Sequence, residues 1–182
     1  SMGGPIIGGF AEKYSDQVKS LSFIAPAGFG KVQTSFPFFM KIPGVIEWSM
    51  HVLADRFYGS AISSETTHSS DPLSINEEEF QQLFSFQVQF KGFRESLAST
   101  MRNFNLFDAR EMFEKVATKN IPSIAIWGDN DGVVSYRGAE TYSEIFHEGK
   151  VITIESGTHD ITYRQPSDVL EAINIFLDSQ IP

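Results

Sequence analysis

The sequence predicts an α/β protein, doubly wound around a mostly parallel sheet. Three observations carry that expectation. Two short, nearly continuous apolar runs, Ile121 to Trp127 and "KVITIES" (150–156), are set off by Pro, Gly or polar residues, as strands buried on both faces are. Segments of helical period alternate with the strand-like runs, and such alternation specifies parallel strands covered by helices. Polar residues suited to chemistry follow the runs, at the strand ends where ligands sit in sheets of this kind.

Each element is argued in turn. Residues 3–14 predict a helix, because Ile6, Ile7, Phe10, Ala11 and Tyr14 share one face of a 3.6-residue period. Gly3, Gly4, Gly8 and Gly9 each weaken it by about 1 kcal/mol relative to Ala. A helix carries such a cluster where its backbone must approach another element closely. "VKSLSFIAPAG" (18–28) predicts a buried strand ending in a Pro/Gly turn.

Residues 29–118 have a different character and predict a helical insert. An aromatic, amphipathic stretch is followed by the Ser/Thr-rich "GSAISSETTHSSDPLS" (59–74), which has no hydrophobic period and predicts a mobile loop. Ser74 and Glu77 match a capping box opening a helix over "NEEEFQQLFSF". Further helices are expected near 93–103 and over 106–118, the latter apolar at Leu106, Phe107, Met112, Phe113 and Val116. After the strand at Ile121–Trp127 come a polar-faced helix (136–147) and the strand 150–156. Pro166 then suits the first turn of a closing helix, with Val169, Leu170, Ile173, Phe176 and Leu177 on one face.

Composition bounds the function. A chain of 182 residues, 41% hydrophobic and 13% aromatic, is enough for one domain with a core. A net charge of −9 without a basic block argues against nucleic acid, since phosphate binding needs clustered Lys and Arg. The absence of cysteine excludes disulfides, thiolate metal sites and a cysteine nucleophile, and points toward a reducing, cytoplasmic setting. No apolar run approaches the roughly 18–20 residues of a membrane helix. The four histidines lack ligand spacing, so neither a metal nor another cofactor is expected.

Three residue types recur in an order that suits acyl chemistry. Ser1 opens "SMGG" ahead of the glycine-rich helix, Asp131 lies four residues after Trp127, and His159 lies in "SGTHD" after "VITIE". A serine hydroxyl is a poor nucleophile until a base removes its proton. A histidine can take that proton and return it to a leaving group, and a carboxylate fixes the imidazole's tautomer. Two alternatives stay open on these residues. Asp129 competes with Asp131, and an N-terminal Ser-Met is also a common remnant of an expression vector. His51, His68 and His147 read as solvated.

"SMGG", "IPSIAIWGDNDGVV" and "GTHDITYRQPSDVLEAINIFL" together resemble the α/β-hydrolase superfamily, in its esterase- and lipase-like serine-hydrolase branch. The resemblance implies that residues 1–28 and 119–182 form the C-terminal part of a doubly wound α/β-hydrolase sheet, without its N-terminal strands. It implies that 29–118 is a helical cap or lid, and that the chain starts at the nucleophile elbow. Carried over, Ser1 is the nucleophile, Asp131 the acid and His159 the base, with the Met2 N–H as an oxyanion-hole donor. The implied reaction is cleavage of a small-molecule carboxylic ester through an acyl-enzyme. The alternatives are carbon–carbon bond hydrolysis on the same fold, or a catalytically incompetent fragment or non-enzymatic relative.

The substrate-binding residues are not readable. Phe36, Phe38, Phe39, Phe84, Phe86, Phe90 and Phe93 suit either an acyl pocket or the insert's own core. The sequence departs from the family where an acidic residue often stands five after the histidine, here Arg164, and where a Pro often follows the two valines, here Ser135.

Overall fold

In a computed structural model, the protein is described over residues 1–30, 70–104 and 108–180, with 42, 44, 45 and 48. The chain divides into two units, the first made of Ser1–Lys31, Ser69–Ser74 and Asn105–Pro182.

The first unit is built on three parallel strands, β1 (Leu21–Ile24), β2 (Ser123–Gly128) and β3 (Lys150–Ile154), in the order β1-β2-β3. Every residue of β2 is buried, as its unbroken apolar run requires of a strand covered on both faces. Alternation along β2 sends Ala125 and Trp127 into one layer and Ile124 and Ile126 into the other. The first layer is aromatic: the Phe23 ring meets Phe29, Phe113 and Tyr142 edge-on, and Phe29 stacks on Phe113 at 4.0 Å. Helices α1 (Gly3–Lys13), α4 (Arg110–Ala117) and α5 (Gly138–Ile145) cover this layer. The second layer is mainly aliphatic, with Ile124, Ile126, Ile154 and Val169, joined by Phe176, under α6 (Ile161–Arg164) and α7 (Pro166–Asp178).

Helix α1 forms where expected but buries a different face. Its buried residues are Gly4, Pro5, Gly8 and Ala11, while Ile6 and Phe10 are 59% and 49% exposed. The glycines decide the face, because the helix lies too close to its neighbours for side chains. A Cβ on Gly8 would lie 2.5 Å from Met112 Cε and 2.7 Å from Phe113 Cε1. One on Gly4 would lie 2.8 Å from the Ala27 carbonyl oxygen.

Other expectations shift in detail. β3 is partly exposed rather than buried, because it forms the sheet edge beyond β2. In α7 the buried face is Val169, Ala172 and Phe176, and Leu170 and Leu177 are exposed. The helix expected over 106–118 begins at Arg110, and Leu106 and Phe107 lie outside the described residues. That helix falls in the first unit, not in the insert expected over 29–118, since Phe113 and Val116 are fully buried in the aromatic layer.

The second unit comprises Val32–His68 and Ile75–Phe104, described mainly at α2 (Glu77–Val88) and α3 (Phe93–Asn103). A capping box opens α2, two residues later than expected. Asn76 Oδ1 accepts from the Glu79 N–H at 2.9 Å, and Glu79 Oε2 accepts from the Asn76 N–H at 3.0 Å. Ser74 is instead engaged in a turn, its N–H donating to the Asp71 carbonyl at 3.0 Å. Of the loop expected over 59–74, residues 59–69 lie outside the described residues. The rest is held in the first unit by Asp71, which accepts from the Ser167 N–H at 2.8 Å and the Ser167 hydroxyl at 2.9 Å, in the first turn of α7. Burial works to raise the Asp71 pKa, but these bonds and one from the Leu73 N–H lower it below the ordinary carboxylate value.

Among the described residues, no helix is long and apolar enough to cross a membrane. Phe36, Phe38 and Phe39 lie outside the described residues. Phe86 and Phe90 are exposed on or just beyond α2, with ring centroids 5.2 Å apart.

Candidate active site

The polar residues of interest gather at the carboxyl ends of the three strands. After β2 the chain turns sharply, and Asp131 points inward with its side chain fully buried, whereas Asp129 is exposed. Asp131 Oδ1 accepts from the N–H groups of Val133 and Val134 at 2.9 and 2.8 Å. Its other oxygen, Oδ2, meets His159 Nδ1 at 2.8 Å. Two backbone donors therefore aim the carboxylate, and the carboxylate aims the imidazole. The turn itself is pinned by Trp127 Nε1, which donates to the Val134 carbonyl at 2.9 Å.

His159 is brought to Asp131 by a close backbone approach that sequence reasoning missed. A Cβ on Gly128 would lie 2.1 Å from the Gly157 carbonyl oxygen, so the end of β2 and the histidine loop touch. That same oxygen accepts from the Asn130 N–H at 2.9 Å. Glycine at 128 and 157 is thus a condition of the contact, and two glycines each flanking a strand-end polar residue were its only sequence signal. The loop leaves β3 through Ser156, whose φ of +54° is a left-handed conformation costly for a residue with a Cβ.

Ser1 joins the same end of the sheet through its backbone. Its backbone nitrogen donates to the Ile24 carbonyl at 3.0 Å, beside the end of β1, and its own carbonyl accepts from the N–H groups of Ala27 at 2.9 Å and Gly4 at 3.1 Å. Met2 follows as the N-cap of α1, more than one-third exposed. The first turn of α1 has no acidic residue and no side-chain cap, so the positive end of its dipole is not neutralised from within the helix. The two side chains joined directly are therefore Asp131 and His159, with Ser1 and Met2 placed at the same edge by α1 and β1. Among the described residues, no group of His, Asp and Glu is arranged to hold a metal ion.

No protein-family model matches the chain. A bromoperoxidase from Bacillus anthracis superposes with a TM-score of 0.71 at 20% identity, covering 98% of this chain and 65% of that one. The chain has the α/β-hydrolase fold. An esterase from Thermogutta terrifontis shares this fold with a TM-score of 0.66 at 17% identity, over 99% of this chain and 63% of the esterase. In sequence, Lipase 3 of Moraxella sp. (strain TA144) is 26% identical over 176 residues, which amount to 87% of this chain and 48% of the lipase. The chain thus spans about half the length of this curated relative. Its three parallel strands and their helices correspond to a part of the doubly wound sheet in the solved structures.

Proposed function

We propose that the full-length protein is a serine hydrolase that cleaves carboxylic esters through an acyl-enzyme on Ser1. The observation that carries this reading is the buried Asp131 carboxylate held at 2.8 Å from His159 Nδ1, at the strand edge that also bears Ser1. The similarity to Lipase 3, at 26% identity, supports an ester as substrate.

The roles follow from the chemistry of each group. With Nδ1 turned toward Asp131, the imidazole offers Nε2 as base, and Nε2 takes the Ser1 hydroxyl proton as Oγ attacks the ester carbonyl carbon. The carbonyl oxygen gains the negative charge and meets the Met2 N–H at the start of α1. One such donor is worth about 3 kcal/mol in the transition state. The imidazolium, stabilised by Asp131, gives its proton to the departing alcohol and leaves an acyl group on Ser1. Water, deprotonated by His159, then attacks the acyl carbon; the acid leaves and the proton returns to Ser1. In this reading the helical insert within residues 29–118 is the cap or lid domain of the enzyme.

The test is hydrolysis of p-nitrophenyl esters by the full-length protein and by Ser1→Ala and His159→Ala. Each substitution is expected to lower kcat by about a thousandfold or more, and the double variant no further, because the groups act as a unit. Turnover retained in both variants would contradict the reading. Parallel assay of a dienoic keto acid separates ester hydrolysis from carbon–carbon cleavage.

A further inference from the structure

Beside the Asp131–His159 pair lies a second ionic cluster that the chemistry above does not use. Asp160, next in sequence to His159, is engaged on both carboxylate oxygens. Oδ2 accepts from Arg164 Nε at 3.0 Å, and Oδ1 accepts from the Thr158 hydroxyl. The Asp160 carbonyl also accepts from the N–H groups of Tyr163 and Arg164, at 2.7 and 3.0 Å, which closes the single turn of α6. Arg164 has a side chain only 10% exposed, and Thr158 is buried.

A buried guanidinium is costly to desolvate, and an ion pair of this kind is weak evidence for stability, because apolar residues of similar volume hold a turn as well. What the charges accomplish is better sought next door. Asp160 carries a carboxylate one residue from an imidazole whose Nδ1 already faces Asp131.

We propose that Arg164 is a positioning residue for His159. By holding Oδ2 of Asp160, with Thr158 holding Oδ1, it keeps that carboxylate from competing with Asp131 for the imidazole. The proposal rests on the reading of His159 as the base.

The test follows the low-field proton resonance of the His159–Asp131 hydrogen bond by NMR, together with kcat and KM, in the full-length protein. R164M is expected to lose or shift the resonance and to lower kcat about tenfold to a hundredfold with KM little changed, as small misplacements of a catalytic group do. R164K keeps a cation beside Asp160 and is expected to retain the resonance and most of kcat. In the double variant D160N/R164M the competing carboxylate is gone, so the resonance and kcat recover toward wild type. A double variant as impaired as R164M, or a resonance indifferent to R164M, overturns the proposal. Should R164M not fold by circular dichroism, T158V, which frees only Oδ1, decides instead: a shifted resonance supports the proposal and an unshifted one overturns it. Since the resonance is read without substrate, a protein that cleaves no ester but passes this test refutes the proposed reaction alone.

Discussion

At the scale of single residues, the site depends on one carboxylate used with both hands. Asp131 spends Oδ1 on two backbone donors and Oδ2 on His159, so its orientation is fixed before any substrate arrives. Replacing it with Asn keeps the shape but puts an amide where a negative charge should stabilise the imidazolium. D131N is expected to lower kcat by about ten-thousandfold, while D129N, at an exposed position, leaves it within about twofold of wild type; ester hydrolysis measured side by side checks both. The spacing of Asp131 from Trp127 was legible in the sequence, because a strand end is legible. The amides of Val133 and Val134 were not, since a backbone donor leaves no mark on composition. Arg164 was visible only as a departure from a pattern, and its partner Asp160 became apparent only once α6 closed its turn.

At the scale of elements, the helices and strands were largely legible, and the misreadings share a cause. Periodicity reports which residues are apolar but not how near the neighbouring element lies. In α1 that distance is short, so glycines are buried and Ile6 and Phe10 are left exposed. The same reasoning separates two adjacent glycines. A Cβ at Gly8 would press on Met112 and Phe113, whereas at Gly9 its nearest contact is Met112 Sδ at an ordinary 3.8 Å. G8A is therefore expected to destabilise the fold by about 1–3 kcal/mol through overpacking. G9A is expected to be neutral or to stabilise by up to about 1 kcal/mol, through helix propensity. Denaturant midpoints of the two variants test this, and equal midpoints would contradict the close approach. The edge strand β3 was overread in the same way, because an apolar run does not reveal how many sheets' faces or neighbours cover it.

At the scale of the whole molecule, the alternation of helix and strand gave the parallel sheet, and the fold comparison agrees with it. The change of character after residue 28 did not mark the boundary of the first unit: α4 belongs to it because Phe113 and Val116 complete the aromatic layer. The central claim is that Ser1, Asp131 and His159 act as one unit at the carboxyl edge of that sheet. Its most direct measurement is fluorophosphonate labelling of the full-length protein, followed by peptide mapping of the adduct. The account predicts a single adduct on Ser1, slowed by at least about a hundredfold in H159A, because the serine is then left without its base. An adduct on another residue, or labelling of Ser1 at an undiminished rate in H159A, would contradict it.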